Sequence, residues 1–185
     1  GAAQKTQPST LNPQPSTFQP LVSIVTPSYN QARFLEATIR SVLEQDYPNI
    51  EYILVDGGST DGSLEVIRRY AHRLAWWVSE PDKGQTDALN KGFARAKGEI
   101  LAWLNSDDTY EPGAVAEAVM FLQSRPEVGL VYGDANFIDQ DGRLIGRFPA
   151  AQTDYRRLRR GYVHIPQQAA FFRADLWRKI GPLDP

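Results

Sequence analysis

Asp107 and Asp108 stand side by side in "LAWLNSDDTY" (101–110), directly after a run of apolar residues. Such a pair can be a turn and N-cap, because acids favour a helix start. It can equally be a cation site. Neighbouring side chains in an extended segment diverge. One carboxylate would then take the metal while the other faces a hydroxyl-bearing ligand. Asp56 closes the apolar run "IEYILVD", and Asp87 follows in "EPDKGQTD". Four carboxylates in one crevice would raise one another's pKa values. A divalent cation relieves that by favouring ionised oxygen ligands.

The neighbours of these acids widen the reading. Asp56 could accept a hydrogen bond from a base N–H. The glycines of "DGGSTDGS" behind it either admit an anion or a flat base, or form an ordinary turn. Tyr29 in "PSYN" could lie on the face of that base, or be a surface turn tyrosine. Lys83 could meet phosphate charge or be solvated. Asp87 and Asn90 could serve the site, or cap a helix and hold loops. His72 reads as structural, and His164 alone makes no metal-ligand cluster. Trp76, Trp77, Trp103 and Trp177 read as core, or as a sugar-lining set. The run Arg156, Arg157, Arg159 and Arg160 is a solvated helix face, or a contact for phosphate or an anionic membrane.

The elements that must position these groups are legible from periodicity and punctuation. Short apolar runs at 21–26, 50–56, 74–79, 99–104 and 128–133 predict strands. Helices are expected between them. The first starts at an Asn30 cap and carries Leu35, Ile39 and Val42 on one face. A short one after Ser63 or Asp61 runs to Tyr70. A third, within 85–97, has the small-residue line Ala88, Gly92 and Ala96 and ends at Gly98 as a C′ glycine. A fourth, with Pro112 in its first turn, places Val115, Val119 and Leu122 inward. Alternation of this kind predicts parallel strands joined by crossover helices. Ligands then belong at the carboxyl ends of the strands. Beyond residue 133 the rhythm changes to a hairpin turning near Asp141-Gly142, a short helix in "TDYRRLRRG", and a strand leading to a helix in "QAAFFRADLWRKIG".

Composition sets the limits. The 185 residues are 42% hydrophobic with a net charge of −2, which argues against general capture of nucleic acid. There are no cysteines, so no disulfide or thiolate metal site. No apolar run reaches the length of a membrane span. Residues 1–20 hold Pro8, Pro13, Pro15 and Pro20 among Gln, Ser and Thr, and read as a flexible tail. The expected organisation is that tail, an α/β core over 21–133, and a smaller mixed segment over 134–185. No GxGxxG, GxxxxGK[ST] or GxSxG is present, which argues against a dinucleotide fold, a P-loop and a hydrolase elbow.

Three blocks now carry a resemblance: "VSIVTPSYNQARFLEATIRSVLEQDYPNIEYILVDGGSTDGS", "EPDKGQTDALNKGFARAKGEILAWLNSDD" and "HIPQQAAFFRADLWRKIGPLD". In this order they resemble the family 2 glycosyltransferases of GT-A fold, over nearly all of residues 21–184. The resemblance implies a Rossmann-like, mostly parallel sheet flanked by helices, with a smaller acceptor-side segment. It implies inverting transfer of a sugar from a nucleotide-diphosphate donor to a hydroxyl of a glycan or lipid-linked acceptor. By position, Thr26 and Tyr29 would line the nucleobase pocket and Asp56 would bond the base. Asp87 would help form the nucleotide pocket, and Asp107 would face the ribose or donor sugar. Asp108 would bind Mg²⁺ or Mn²⁺, and Asn105 stands where the family often has a third aspartate. The family's general base commonly lies beyond the "GPLD" block, so it is expected beyond Pro185, and Asp184 is not assigned that role. A cytoplasmic setting, at the inner face of a membrane, follows from nucleotide-sugar supply. Two other readings stay open: a nucleotide-sugar-binding fragment without turnover, and a nucleotidyltransferase that would release pyrophosphate.

Overall fold

The computed structural model describes residues 18–161 and 164–184. A six-stranded sheet forms the centre, built from β1 (Val22–Ser28), β2 (Ile50–Asp56), β3 (Trp76–Ser79), β4 (Ile100–Trp103), β5 (Leu130–Tyr132) and β8 (Ala170–Arg173). Its order is β3-β2-β1-β4-β8-β5. The first four strands are parallel, with Val22 opposite Ile50 and Ser28 opposite Asp56. β8 runs antiparallel to both β4 and β5. It is thereby inserted between two strands that point the same way, which the run of sequence-predicted crossovers does not anticipate. Strands β6 (Ala135–Ile138) and β7 (Leu144–Phe148) make the expected hairpin, separate from the main sheet.

Helices cover both faces, which is why β1 is buried along its whole length. On one face Val22, Ile24 and Leu54 pack with Leu35, Ile39 and Val42 of α1 (Ala32–Leu43), Ile67 of α2 (Ser63–Tyr70), and Val115, Val119 and Leu122 of α4 (Ala114–Ser124). On the other, Val25, Ile53 and Val55 meet Leu89 and Phe93 of α3 (Gln85–Phe93), with Trp177 of α6 (Ala174–Ile180) closing the edge. Phe93 lies 4.6 Å from Trp177 and 6.2 Å from Trp103, centroid to centroid, so these two tryptophans fill core. The short α5 (Tyr155–Arg159) carries the basic run on an exposed surface and is capped by Asp154. Among the described residues no helix is long and apolar enough to cross a membrane.

Several local expectations are corrected. Asn30 does not cap α1; it sits at φ 53, and its amide oxygen accepts from Thr60 N–H at 2.9 Å. The cap comes instead from across the loop, where Asp61 accepts from Ala32 N–H at 2.9 Å. Asp61 also accepts from Ser63 N–H, so one carboxylate serves the starts of α1 and α2. Gly98 is no left-handed cap, and α3 has already ended at Phe93. A Cβ at Gly98 would lie 2.6 Å from Ser23 N and 2.7 Å from Leu21 O, so close backbone approach demands the glycine. Pro112 precedes the α4 cap at Gly113 rather than entering the first turn. Residues 1–17 of the expected tail lie outside the described residues. Its last three residues are bound to the core: Tyr47 donates to Pro20 O at 2.6 Å, Asn49 to Gln19 O and Gln123 to Phe18 O.

Candidate functional site

The strand order reverses between β1 and β4: the chain leaving the carboxyl end of β1 turns toward β2, and the chain leaving that of β4 turns toward β5 on the other side. Their carboxyl ends must therefore splay, and a crevice opens there. It is a cavity of about 610 Å³. Ser28 and Tyr29 come from the end of β1, Asn105 and Asp107 from the loop after β4, and Gln85 from the start of α3. Asp82 joins from the loop after β3.

Hydrogen bonds between loops fix this edge. Gln31 N–H donates to Ser63 Oγ at 3.1 Å, and Asn30 N–H to Ser59 Oγ at 2.8 Å. Helix α1 holds the Asp107–Asp108 segment from below. Thr38 donates to Asp108 O at 2.8 Å, Tyr110 N–H donates to Ser41 Oγ, and Gln45 donates to Glu111 O.

The acidic residues divide among four roles. Asp107 is exposed and lines the crevice. Asp108 is half-buried and faces a second cavity of about 460 Å³, whose wall includes Tyr110, Glu111, Glu117, Tyr132 and Asp134. The pair does not sit in the extended segment expected: Asp107 lies in a turn closed by Asp108 N–H donating to Asn105 O at 3.1 Å, and the two side chains line different cavities. Burial pushes the Asp108 carboxyl above the usual carboxylate range, and the Asp107 charge adds to this. A hydrogen bond from Asn105 opposes both. Asp56 is fully buried at the same strand edge. Its carboxylate accepts from Gly58 N–H (3.2 Å), Ser59 N–H (2.9 Å), Ser79 Oγ–H (2.6 Å) and the Ser59 hydroxyl, and it does not line the crevice. Asp87 lies in the first turn of α3, accepts from Lys83 N–H at 3.2 Å and pairs with Lys91 at 3.3 Å. The Lys83 amide, followed by the Lys91 charge, holds its carboxyl below the usual range.

Of the sequence-predicted site residues, the structure brings Tyr29 and Asp107 to the crevice wall, while Asp108 lines the second cavity instead. Thr26 is fully buried, with its hydroxyl 3.0 Å from Tyr52 Oη, one layer beneath. Ser28 and Asp82 are additions that sequence reasoning missed. Ser28 is 4% exposed, lines the crevice, and its hydroxyl has no partner among the described residues. The period-2 rule links it to the same face as Thr26, and its position at the strand end was the available signal. His164 is half-buried and joins no cluster of metal-ligating residues.

Among the described residues no three His, Asp or Glu side chains form a cage for a cation. A cage is not required for Mg²⁺ or Mn²⁺ beside a diphosphate, where one or two carboxylates suffice and phosphate oxygens with water complete the shell. Asp108 fits that part: a half-buried carboxylate with no cationic partner among the described residues.

Comparison with known proteins agrees with this geometry. An uncharacterised glycosyltransferase of Mycobacterium tuberculosis is 37% identical over 172 residues, covering 91% of this chain and 64% of the relative. The chain thus spans about 64% of the length of that curated relative. A mannosyltransferase from Pyrobaculum calidifontis, solved with GDP-Man and Mn²⁺, superposes with a TM-score of 0.68 at 28% identity, over 91% of this chain and 48% of its own. Staphylococcus aureus TarS, solved with UDP-GlcNAc, shares the fold at a TM-score of 0.70 and 20% identity, over 86% of this chain and 47% of its own. The mixed α/β sheet flanked by helices, with its small separate hairpin, is the expected GT-A arrangement. The family model for glycosyl transferase family 2 matches residues 23–181, and the chain belongs to that family.

Proposed function

We propose that this chain carries the nucleotide-sugar site of an inverting glycosyltransferase, which moves a sugar from a nucleoside diphosphate to an acceptor hydroxyl with Mg²⁺ or Mn²⁺. The crevice at the β1–β4 reversal, with an exposed aromatic on one wall and a carboxylate on the other, carries the reading. Tyr29 is 63% exposed and offers its ring to a base. The unpartnered Ser28 hydroxyl beside it offers a hydrogen bond to the base or ribose. Asp107 accepts from ribose or donor-sugar hydroxyls. Asp108 holds the cation. A bound cation would neutralise charge growing on the departing diphosphate. Asp56 acts from beneath, keeping the loop after β2 in shape, and would bond a base only if a serine gave way. Asp87 steadies the start of α3.

The Asp108-side cavity suits the acceptor. Tyrosines and carboxylates line it and, among the described residues, no Lys, Arg or His does, which favours a hydroxyl-rich glycan over a phosphate-bearing group. The Pyrobaculum relative, with GDP-Man and Mn²⁺, supports a donor and cation of this kind. A cytoplasmic setting beside a membrane belongs to the same proposal, on the ground of donor supply.

Thermal stabilisation by UDP-, GDP- and dTDP-sugars with Mn²⁺ tests the donor half. Release of nucleoside diphosphate on adding glycan acceptors tests transfer. A donor that stabilises without transfer would leave a binding portion, and pyrophosphate release from a nucleoside triphosphate would replace the proposal with nucleotidyl transfer. No shift with any donor would end it.

A further inference from the structure

β8 pairs with β4 only at Ile100 and Leu101. Trp103, two residues on, is thereby left with a carbonyl that the ladder on that side does not use. Gln167, in the 3-10 turn Gln167–Ala169 just before β8, donates its Nε2 to Trp103 O at 2.7 Å. A carbonyl only accepts, so the Gln167 amide has one possible orientation. Its Oε1 must then face away, and it accepts from Asn105 Nδ2 at 3.1 Å. That contact orients the second amide. Asn105 presents Nδ2 to Gln167 and also to Asp108 Oδ2, at 3.2 Å. Its Oδ1 turns the other way and accepts from Gln85 Nε2 at 2.7 Å. An unpaired strand carbonyl thus dictates, through two amides, which Asp108 oxygen is held by an N–H. Among the described residues no donor reaches the other oxygen.

We propose that Gln167 is a positioning residue for Asp108: acting through Asn105, it fixes the carboxylate so that one oxygen is tied and the other is presented to a divalent cation bound with a nucleoside diphosphate. The inference rests on the metal role given to Asp108 above. It also gives a physical reason for a neutral residue at 105. An aspartate there could not donate to Asp108, would repel it, and would leave the Gln167 oxygen facing a carboxylate. The arrangement further couples the segment before β8 to the donor crevice, although Gln167 and Asn105 are 62 residues apart.

The test is Mn²⁺ titration into the whole chain with GDP or UDP, with bound Mn²⁺ followed by electron paramagnetic resonance. Gln167→Ala is expected to weaken Mn²⁺ binding about tenfold, as loss of an outer-shell partner does, and to change the line shape of the bound ion. Asn105→Ala is expected to do the same. The double variant should fall within about twofold of either single one, because both residues act on one carboxylate. Gln167→Met keeps the volume without the polar atoms and should reproduce the loss if the alanine variant does not fold. Unchanged affinity and line shape in both Gln167 variants, or losses that add in the double variant, would overturn the proposal. Asp108→Asn separates the two levels. If it abolishes Mn²⁺–nucleotide binding while the Gln167 variants do not weaken it, only the positioning role falls. If it leaves binding intact, the metal assignment falls and the relay falls with it.

Discussion

The cavities on either side of the Asp107–Asp108 peptide are built from different materials. The crevice on the Asp107 side is bounded by loops of parallel strands and fastened by inter-loop hydrogen bonds, with the saturated Asp56 carboxylate beneath. The cavity on the Asp108 side lies against α4, β5 and the outlying hairpin. There the polar contacts are fewer and exposed, as with Asp134 to Arg147 and Asn136 to Glu111. Apolar side chains such as Phe137, Leu144 and Ile145 on the hairpin face outward. One wall set is cross-linked by hydrogen bonds between loops, the other by few. That division suits a site in which a nucleotide is gripped while a larger, varied group is admitted from the other side.

The largest expected effect breaks the bridge between them. Asp108→Ala should reduce Mn²⁺-dependent binding of UDP or GDP beyond about a hundredfold, since a ligand rather than its support is removed. Thr38 grips the Asp108 backbone carbonyl, not its side chain, so the melting temperature should barely move. Calorimetric titration beside a thermal melt checks both halves, and unchanged affinity would count against the metal role. Next in size is the staple under the crevice. Asp56→Ala would leave the half-buried Gly58, Ser59 and Ser79 donors unmatched and should cost about 3 kcal/mol in urea denaturation. A loss below about 1 kcal/mol would mean that those loops relax into water and are not preorganised.

The close packing behind the crevice gives a smaller effect. A Cβ at Gly92 would overlap Val25 Cγ1, and one at Gly98 would strike the backbone of β1 and its lead-in. Each alanine substitution should destabilise by about 2 kcal/mol, the usual result of overpacking. Gly98 should be the worse, because backbone cannot rotate aside as a valine methyl can. Thermal denaturation that ranked the two the other way would place the strain in α3 instead of at the strand edge.

These positions also show what the sequence made legible. Ala96 of the small-residue line falls beyond α3, but most strands and helix faces, with Ala88 and Gly92 of that line, follow from periodicity. The antiparallel insertion of β8 does not, since hydrophobic pattern carries no strand direction. The loops hold the rest. Asp61 takes over at α1 the role that local capping rules give Asn30, and Asn30 bonds Thr60 instead, because the partner of each lies about 30 residues away. Asp56 stands at its strand end as expected, while β1 runs two residues past Thr26 to Ser28, and the polar atoms of both are consumed by Ser59, Ser79 and Tyr52. Spacing shows where a carboxylate emerges from a strand, not how many donors already surround it. Asp82 escaped notice for the converse reason, as it stands two residues before Gly84 in a loop with no periodic signal.

Two mild substitutions sharpen the contrast without disturbing the fold. Tyr29→Ala on the crevice wall should lower nucleotide affinity about tenfold if its ring stacks on the base, with no change in melting temperature at so exposed a position. Glu111→Gln on the opposite wall should leave nucleotide affinity within about twofold, the range of an exposed substitution. Glu111 touches Asn136 in the Asp108-side cavity and does not line the crevice, so any effect belongs in the KM of the acceptor. Isothermal titration with UDP and GDP decides between one site and two. If Glu111→Gln weakens nucleotide binding as much as Tyr29→Ala, the base or diphosphate reaches past Asp108, and the two cavities are a single pocket.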